Sequence, residues 1–478
     1  MSDTEIETSE SAVGKRKSAD LTEGSLWDKI LFFALPIVLM NILQQLFNTA
    51  DIAVVGRLVG NDALAAVGSA GPIVTLFITI FSGLSVGANA VIARMVGSGN
   101  QEQIRKSVHT SVVIAVISGA AVLIVGEMIT RPLLSLVSTP ENVMDMAVLY
   151  LRIYFSGSIF IMLYNFEAAI LRAGGDTKRP LYILLISGAL NIVLNLFFVM
   201  ACGMSVEGVA LATLVSNIVS AVMLFAILVK EKSGLQICIP ELRLHSGIAR
   251  GILMIGIPAA IQGMLFNIAN VVLQSGINSL GSTAIAGNTV GTNVEIFLYF
   301  IVAGFGQTCI TFNGQNLGAG KLKRCVSATR WCLGLGFIFT VIAGSIAFTF
   351  RNSLAGIFTP DEAVIRIAAF RIAILATFEV LNMMIEVISG ALRGWGHSFL
   401  PAMLSLFFVC GVRMIWLFVI FPMDRTYEWL MSVYPVSWVL AVASLAGAYF
   451  YVKRKLFKTM PQGDQSEIPR SKLRGIIA

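Results

Sequence analysis

Long apolar runs separated by short polar breaks fill most of this chain. Runs of about twenty residues, the length that a membrane-spanning helix needs, begin near residues 28, 63, 106, 143, 181 and 207, and again near 249, 284, 325, 363, 400 and 428. They are continuous rather than alternating, so transmembrane β-strands are not expected. The pattern predicts an all-α membrane protein with twelve spans, six in each half.

The composition agrees with this pattern. Of the 478 residues 56% are hydrophobic and 13% are charged, whereas a soluble domain has about 25% charged residues. The spans leave no room for a large soluble catalytic domain. The first 25 residues are polar and do not form a signal peptide. The six cysteines are scattered without a C-x-x-C pair, so neither a disulfide framework nor a bound metal or other cofactor is expected.

The basic residues lie mainly on one side of the predicted membrane. Alternate connections, starting from the N-terminal tail, hold 26 of the 34 Lys and Arg residues, and the opposite connections hold four. This bias predicts that both termini are cytosolic in a plasma-membrane protein. It also accounts for the net charge of +7 without a nucleic-acid partner. We expect a monomer with a tail (1–25), a first lobe (26–233), a linker (234–247), a second lobe (248–455) and a basic tail (456–478).

The two halves of the chain resemble each other at a shift of about 221 residues. Pro36 matches Pro258, and AILRAGGDTKRP at 169–180 matches GALRGWGHSFLP at 390–401. Six spans are an even number, so the second copy enters the membrane in the same orientation as the first. Such parallel repeats are related by an axis along the membrane normal, with binding sites near their interface. The sequence therefore predicts two six-helix lobes around a central cleft that rock to expose a site alternately.

Ionisable and amide side chains inside the spans are the candidate site residues. An ionisable group at the centre of a membrane helix costs about 2.5–3.5 kcal/mol on insertion scales and usually faces a cavity or a partner. The acids in the spans are Asp51, Glu167, Glu295, Glu379 and Glu386. Each amide could instead hold helices together through hydrogen bonds. The sequence leaves open whether Asp51 is buried or pairs with Arg57 near the outer boundary.

Several stretches resemble the multidrug and toxic compound extrusion (MATE) family, over residues from about 26 to 455. They are LPIVLMNILQQLFNTADIAVVGRLVG, LYNFEAAILRAGGDTKRPLYILLISGALNIVLN, GVALAT, GQNLGAGK and SGALRGWG. The resemblance implies two six-helix lobes and the export of organic, mostly cationic, compounds in exchange for protons or sodium ions. Span 7 lacks the glutamate of NorM-like members, so the chain looks closer to the DinF-like branch.

The resemblance also suggests a coupling-ion site in the first lobe. Asp51 matches the span-1 aspartate of the family, and Thr213 matches its span-6 threonine. Asn191 and Asn195 match a span-5 Asn–Asp pair, so an amide replaces the second carboxylate. A sodium site prefers several oxygen ligands and balancing charge, and we therefore favour protons over Na⁺. Pro36 lacks a backbone N–H and is a candidate hinge in span 1.

The transported compound is expected to be a small organic cation that binds in the cleft. The candidate cleft residues are polar and lie within spans: Gln44, Asn48, Glu167, Gln262, Asn267, Glu295, Glu379, Asn382 and Glu386. The acids among them would attract a cation. Arg172 and Arg393, in matching loops, are expected to anchor helix ends rather than to bind substrate.

Two alternative functions stay open, and a third, an enzyme, is not favoured. A flippase for a lipid-linked precursor would need basic residues in the cleft, and an exporter of an endogenous metabolite would share this architecture. The segment Gly83-Leu84-Ser85-Val86-Gly87 has the G-x-S-x-G form of a hydrolase nucleophile. That motif works at a strand-to-helix turn, whereas here it lies in an apolar helix, so close packing of small residues is the favoured explanation and no enzyme is expected.

Overall fold

The computed structural model describes residues 20–459, so most of the two predicted tails lies outside the described residues. Within this part of the chain the secondary structure is helical, without strands. The first half contains α1 (Trp27–Val54), α2 (Asn61–Gly97), α3 (Gln101–Leu136), α4 (Glu141–Ser156), α5 (Ser158–Ala173), α6 (Lys178–Leu196) and α7 (Val206–Val229). The second half contains α8 (Ser246–Asn278), α9 (Ser282–Gly318), α10 (Leu322–Thr349), α11 (Arg351–Gly356), α12 (Glu362–Gly394), α13 (Phe399–Met423) and α14 (Tyr427–Lys458).

The predicted spans are all present as helices. Ten helices among the described residues are long and apolar enough to cross a membrane, and α4 with α5 makes an eleventh span. The 33-residue α12 is long enough to be the twelfth but carries several charged side chains. The sequence pattern did not show that span 4 is bent by 46° between α4 and α5. The bend falls at Gly157, where Ser158 donates a hydrogen bond to the carbonyl of Gly119 in α3 (2.8 Å).

Helices α1–α7 form the first lobe and α8–α14 the second, and the two lobes meet along α2 and α9. Asn89 of α2 and Thr311 of α9 exchange two buried hydrogen bonds of 3.0 and 3.1 Å. These two residues lie 222 positions apart, within one position of the shift of 221 that relates α2 to α9. Residues at nearly equivalent positions of two copies touch each other only close to the axis that relates the copies. The contact therefore places a pseudo-two-fold axis between α2 and α9, as the internal repeat predicts.

The lobes also touch where α2 and α9 end, on the side at which α1 begins, which is hereafter the inner side. A Cβ atom on Gly97 would lie 1.9 Å from the carbonyl oxygen of Gln315, and one on Gly318 would lie 1.9 Å from that of Arg94. The contacts are reciprocal, since Gly97 matches Gly318 and Arg94 matches Gln315 at the shift of the repeat. Only glycine allows the backbones to come this close.

Side chains from each lobe cap helix ends of the other at the same place. Arg94 donates to the carbonyl of Gly394 at the end of α12 (3.4 Å), and Gln315 donates to that of Ala173 at the end of α5 (2.7 Å). In the described part of the chain, the direct hydrogen bonds between the lobes lie in the inner half of the interface. They extend from this end to the Asn267–Thr79 pair near the middle of α2. The lobes are therefore closed on the inner side.

The G-x-S-x-G segment lies inside α2 and packs against the second lobe. A Cβ atom on Gly83 would lie 2.4 Å from the Cα atom of Ala260, and one on Gly87 would lie 2.2 Å from the carbonyl oxygen of Ile252. Ser85 donates to the carbonyl of Ser82 in its own helix. The small residues thus allow α2 and α8 to pack closely, as expected, and the segment is not a nucleophile turn.

Candidate cation site and substrate cavity

The contact between α1 and α6 fixes the position of Asp51. The ring of Phe47 lies directly on Gly188, where a Cβ atom would be 1.9 Å from the ring. Asp51 is one helical turn beyond Phe47, and Asn191 and Asn195 are one and two turns beyond Gly188. The side chains of these three residues therefore point into the same space between the two helices.

Asp51, Asn191, Asn195 and Thr213 form a closed ring of hydrogen bonds, hereafter the Asp51 ring. The amide of Asn195 donates to one carboxylate oxygen of Asp51 (2.5 Å), and the hydroxyl of Thr213 donates to the other (3.3 Å). Asn195 also donates to Asn191 (3.2 Å), and Asn191 donates to Thr213 (3.4 Å). Three helices thus supply one carboxylate and three polar neutral groups.

Helices α1 and α6 both change from α-helical to π-helical geometry a few residues after the side chains that they contribute to the Asp51 ring. After Asp51, the chain of α1 continues in a wider turn in which the N–H of Gly60 bonds to the carbonyl of Val55 (3.1 Å). After Asn195, the N–H of Cys202 bonds to the carbonyl of Phe197 (3.2 Å). Such five-residue π turns are rare, and they occur often at functional sites. They mark a place where both helices can repack.

The Asp51 ring has the chemistry to hold a small hard cation. Its ligand atoms are carboxylate, amide and hydroxyl oxygens, the type that hard cations prefer. The carbonyl oxygen of the Asn195 side chain is buried and lacks a hydrogen-bond partner. Among the described residues, Asp51 bonds to Asn195 and Thr213, while Arg57 is exposed and forms no ion pair with it. The single negative charge of this carboxylate is balanced by one proton or by one monovalent cation.

A cavity of about 300 Å³ lies inside the first lobe and includes part of the Asp51 ring. Its wall contains amides, hydroxyls and three tyrosines, and among residues 20–459 the charged lining side chains are Asp51 and Arg172. The described part of the second lobe contributes Gln307 of α9. Small-molecule sites in proteins commonly combine such a volume with apolar and aromatic walls and a few polar groups.

The predicted cleft residues are distributed over several places. Gln44 and Asn48 line the cavity. Glu167 is fully buried but is not among the lining residues, and both its carboxylate oxygens lack a hydrogen-bond partner. The remaining candidates are in the second lobe, outside this cavity. Asn267 donates to Thr79 across the lobe interface (3.0 Å), and Asn382 donates to the buried Glu379 (2.8 Å).

Some predictions about charged residues need correction. Glu295 was expected to give the second lobe negative charge, but it forms an ion pair with Arg371 (2.6 Å). Arg371 is buried and also donates to Asn288 (2.8 Å). Arg172 and Arg393 lie in the last turns of α5 and α12, not in loops. Arg393 donates to Gln262 (2.8 Å), and Glu386 lies beside Gly306 of α9.

Replacing Arg371 by Met is expected to destabilise the second lobe by about 3–5 kcal/mol, because the change leaves Glu295 as an unpaired acid in a largely buried place. The measurement is thermal unfolding of the purified protein in detergent. The double variant Glu295→Gln/Arg371→Met should recover most of the loss. Arg366→Met, on an exposed position of the same helix, is the control, and an equal loss there would contradict the explanation.

A second group of potential metal ligands lies near the linker between the lobes. Atoms of His109, Cys238 and Glu241 lie within 4.8 Å of one another. However, Arg105 donates to the Cys238 sulfur (3.1 Å) and to Glu241 (2.6 Å). The backbone N–H of Cys238 donates to Nε2 of His109 (2.9 Å). The guanidinium of Arg105 therefore already balances the charge of this group, which tethers the linker to α3.

Two parallel helical lobes with polar groups inside the membrane and a cavity closed on one side define a membrane transporter. The sequence profile of the MatE family matches residues 36–197 and 258–419, once in each lobe. The chain therefore belongs to the MatE family, whose members are transporters and not enzymes. The narrower assignment to the DinF-like branch stays a prediction.

Relatives and solved structures of similar sequence agree with this assignment. The "Probable multidrug resistance protein YoeA" of Bacillus subtilis is 26% identical over 460 residues, which are 94% of this chain and 98% of that protein. An "FAD transporter" of Shewanella oneidensis is 27% identical over 335 residues, 69% of this chain and 74% of that protein. The solved outward-facing structure of a multidrug resistance MATE family transporter has a TM-score of 0.85 and 24% identity, covering 93% of this chain and 99% of that one.

Sequence reasoning missed the position of Arg172 and the tyrosines of the cavity wall. Tyr150, Tyr154 and Tyr164 line the cavity with Arg172. The sequence of α5 contained a signal for this. Residues at helical spacing form one face of the helix that includes polar side chains: Ile161, Tyr164, Asn165, Ala168 and Arg172.

Proposed function

We propose that the protein is a secondary active multidrug efflux antiporter. It exports small organic, mostly cationic, compounds across the plasma membrane in exchange for protons. Both termini lie in the cytosol and the protein works as a monomer. The observation that carries this proposal is the Asp51 ring, in which one carboxylate of α1 bonds to side chains of α6 and α7 at the edge of a cavity in the first lobe.

Protonation of Asp51 is the proposed coupling step. The carboxylate accepts hydrogen bonds from Asn195 and Thr213, and protonation weakens both because it removes the negative charge. Helix α1 then repacks, using the π turn after Val54 and Pro36 within the helix as points of adjustment. Repacking narrows the cavity and displaces a bound cation to the outer side. The lobes then rock about α2 and α9 to load the next compound from the inner side.

The proton is the favoured coupling ion because the site has only one carboxylate. Sodium must lose most of its hydration shell and needs several oxygen ligands with balancing charge, whereas a proton needs one titrating group. The amide of Asn195 stands where the MATE family resemblance implies an acid. It supports Asp51 by a hydrogen bond but adds no charge.

The test is dye uptake into everted membrane vesicles with proton and sodium gradients imposed separately. We expect ethidium uptake with an acid interior and none with a sodium gradient alone. Asn195→Asp should add sodium-driven uptake, because a second carboxylate then joins the Asp51 ring. Asn165→Asp, which adds a carboxylate elsewhere on the cavity wall, is the control and should not respond to sodium. Sodium-driven uptake by the wild type would reject proton coupling.

A second candidate function is the export of an endogenous metabolite. It is favoured by the similarity to the FAD transporter of Shewanella oneidensis and by the many amides and hydroxyls of the cavity wall. The metabolite content of the medium distinguishes the two functions. A deletion strain that loses an extracellular metabolite but keeps its drug resistance would favour this candidate over multidrug efflux.

A further inference from the structure

Arg172 is a basic residue of the cavity that the proposed function does not use. It lies in the last turn of α5, lines the cavity, and has a buried Nε atom without a hydrogen-bond partner. None of the ion pairs in residues 20–459 includes it. A guanidinium within a membrane protein normally has a partner, because an unpaired charge there is costly.

The second lobe shows what such a partner looks like. Arg393 occupies the equivalent position in the last turn of α12 and donates to the side-chain oxygen of Gln262 (2.8 Å). Gln262 is four residues after Pro258 in α8. The matching residue of the first lobe, four after Pro36, is Met40, which also lines the cavity. A thioether is only a weak acceptor, so the first lobe keeps the arginine and lacks its partner.

Simple anchoring at the membrane surface does not account for Arg172. A basic residue that anchors a helix end extends its charged group into water or among lipid headgroups. The side chain of Arg172 instead lines an internal cavity together with Tyr164 and Asn165 of the same helix. The cavity is therefore the place from which a partner for this guanidinium would come.

The two charged groups lie toward opposite ends of the cavity. Helix α1 runs outward, and its lining residues extend from Ile37 to Asp51, a rise of about 21 Å. Helix α5 runs inward and ends at Ala173, directly after Arg172. The inner end of the cavity is therefore positive, and the Asp51 ring lies at the outer end.

We propose that Arg172 binds a carboxylate or phosphate group of the transported compound. A guanidinium offers parallel N–H donors that match the oxygens of either group. The rings of Tyr154 and Tyr164 line the same cavity and provide flat contacts for an aromatic body. The substrates thus include aromatic compounds with an anionic group. This inference rests on the proposed function only in taking the cavity as the substrate site.

Binding of a matched pair of fluorescent probes to the purified full-length protein tests the inference without transport. Dansylglycine carries a free carboxylate, and its methyl ester is identical except that the charge is removed. We expect the wild type to bind the acid more tightly than the ester. Arg172→Gln should weaken binding of the acid by about ten- to hundredfold and leave the ester unchanged. Arg172→Lys should retain part of the preference for the acid.

Two further variants separate recognition from folding. Arg393→Gln removes the equivalent arginine of the second lobe and should preserve the preference for the acid. Met40→Gln gives Arg172 the partner that Arg393 has and should reduce acid binding while keeping the arginine. Equal binding of acid and ester by the wild type, or an unchanged ratio in Arg172→Gln, would overturn the proposal.

Competition identifies the anionic group. Displacement of dansylglycine by benzoate indicates carboxylate recognition, and displacement by phenyl phosphate indicates phosphate recognition. Failure of both to displace it contradicts a site for either group. The proposed function fails separately, by the absence of proton-driven uptake in vesicles, and that result would not change the ratio of acid to ester binding.

Discussion

Asp51→Asn is expected to abolish substrate-driven proton release from everted vesicles and the resistance of cells to cationic dyes. Asparagine has nearly the shape of aspartate, so the fold and the contact of α1 with α6 should persist. The variant lacks the titrating charge, however, and proton movement can no longer drive cation movement. Each elementary charge that crosses 100 mV supplies about 2.3 kcal/mol, and this driving force is lost with the coupling.

The measurement combines vesicle acidification with dye binding to the purified variant. Dye binding to the wild type should weaken as the pH falls, whereas binding to Asp51→Asn should be independent of pH over the same range. Asp62→Asn is the matched control, because Asp62 is an exposed carboxylate at the outer start of α2. Unchanged efflux by Asp51→Asn would show that the Asp51 ring is structural only.

Gly318→Ala is expected to open the inner side of the transporter and to lower transport strongly. The new Cβ atom would lie 1.9 Å from the carbonyl oxygen of Arg94, so α2 and α9 must separate. Overpacking of this kind typically costs about 1–3 kcal/mol, and the cost applies only to the state in which the inner ends touch. It therefore shifts the population toward the inward-open state by about 5- to 150-fold.

Spin labels placed on the outer ends of α2 and α9 measure this shift, since the outer ends approach when the inner ends separate. Gly97→Ala should act in the same way, because its contact with Gln315 is the reciprocal one. Gly334→Ala in α10 is the control, as a Cβ atom there would meet no atom within 4 Å. A distance distribution in Gly318→Ala equal to that of the control would contradict the expected shift.

The architecture could be predicted from the sequence, because membrane-spanning helices and an internal repeat both produce regular patterns of residues. Each span begins within a few residues of the predicted position, and the match of Pro36 with Pro258 already implied two parallel lobes. The bend at Gly157 was not visible, since it depends on how Ser158 and Gly119 meet across two helices. Local composition does not encode such a contact.

The candidate site was predictable only in part. The family resemblance selected Asp51, Asn191, Asn195 and Thr213, and the structure brings these four residues together. Their role as a coupling site remains a proposal. The pairing of Glu295 with Arg371 was not predicted, because the two residues come from different helices far apart in sequence. The position of Met40 opposite Gln262 in the repeat became meaningful only after Arg393 was found to bond to Gln262.

The glycine contacts at the inner ends of α2 and α9 also bear on energy conservation. Where the backbones of α2 and α9 touch at Gly97 and Gly318, the two helices leave no space between them for a water molecule. In the proposed mechanism, this contact blocks a direct water path along the α2–α9 interface between the Asp51 ring and the inner side. The proposed mechanism therefore expects this main-chain contact to limit uncoupled proton leak while the inner side is closed.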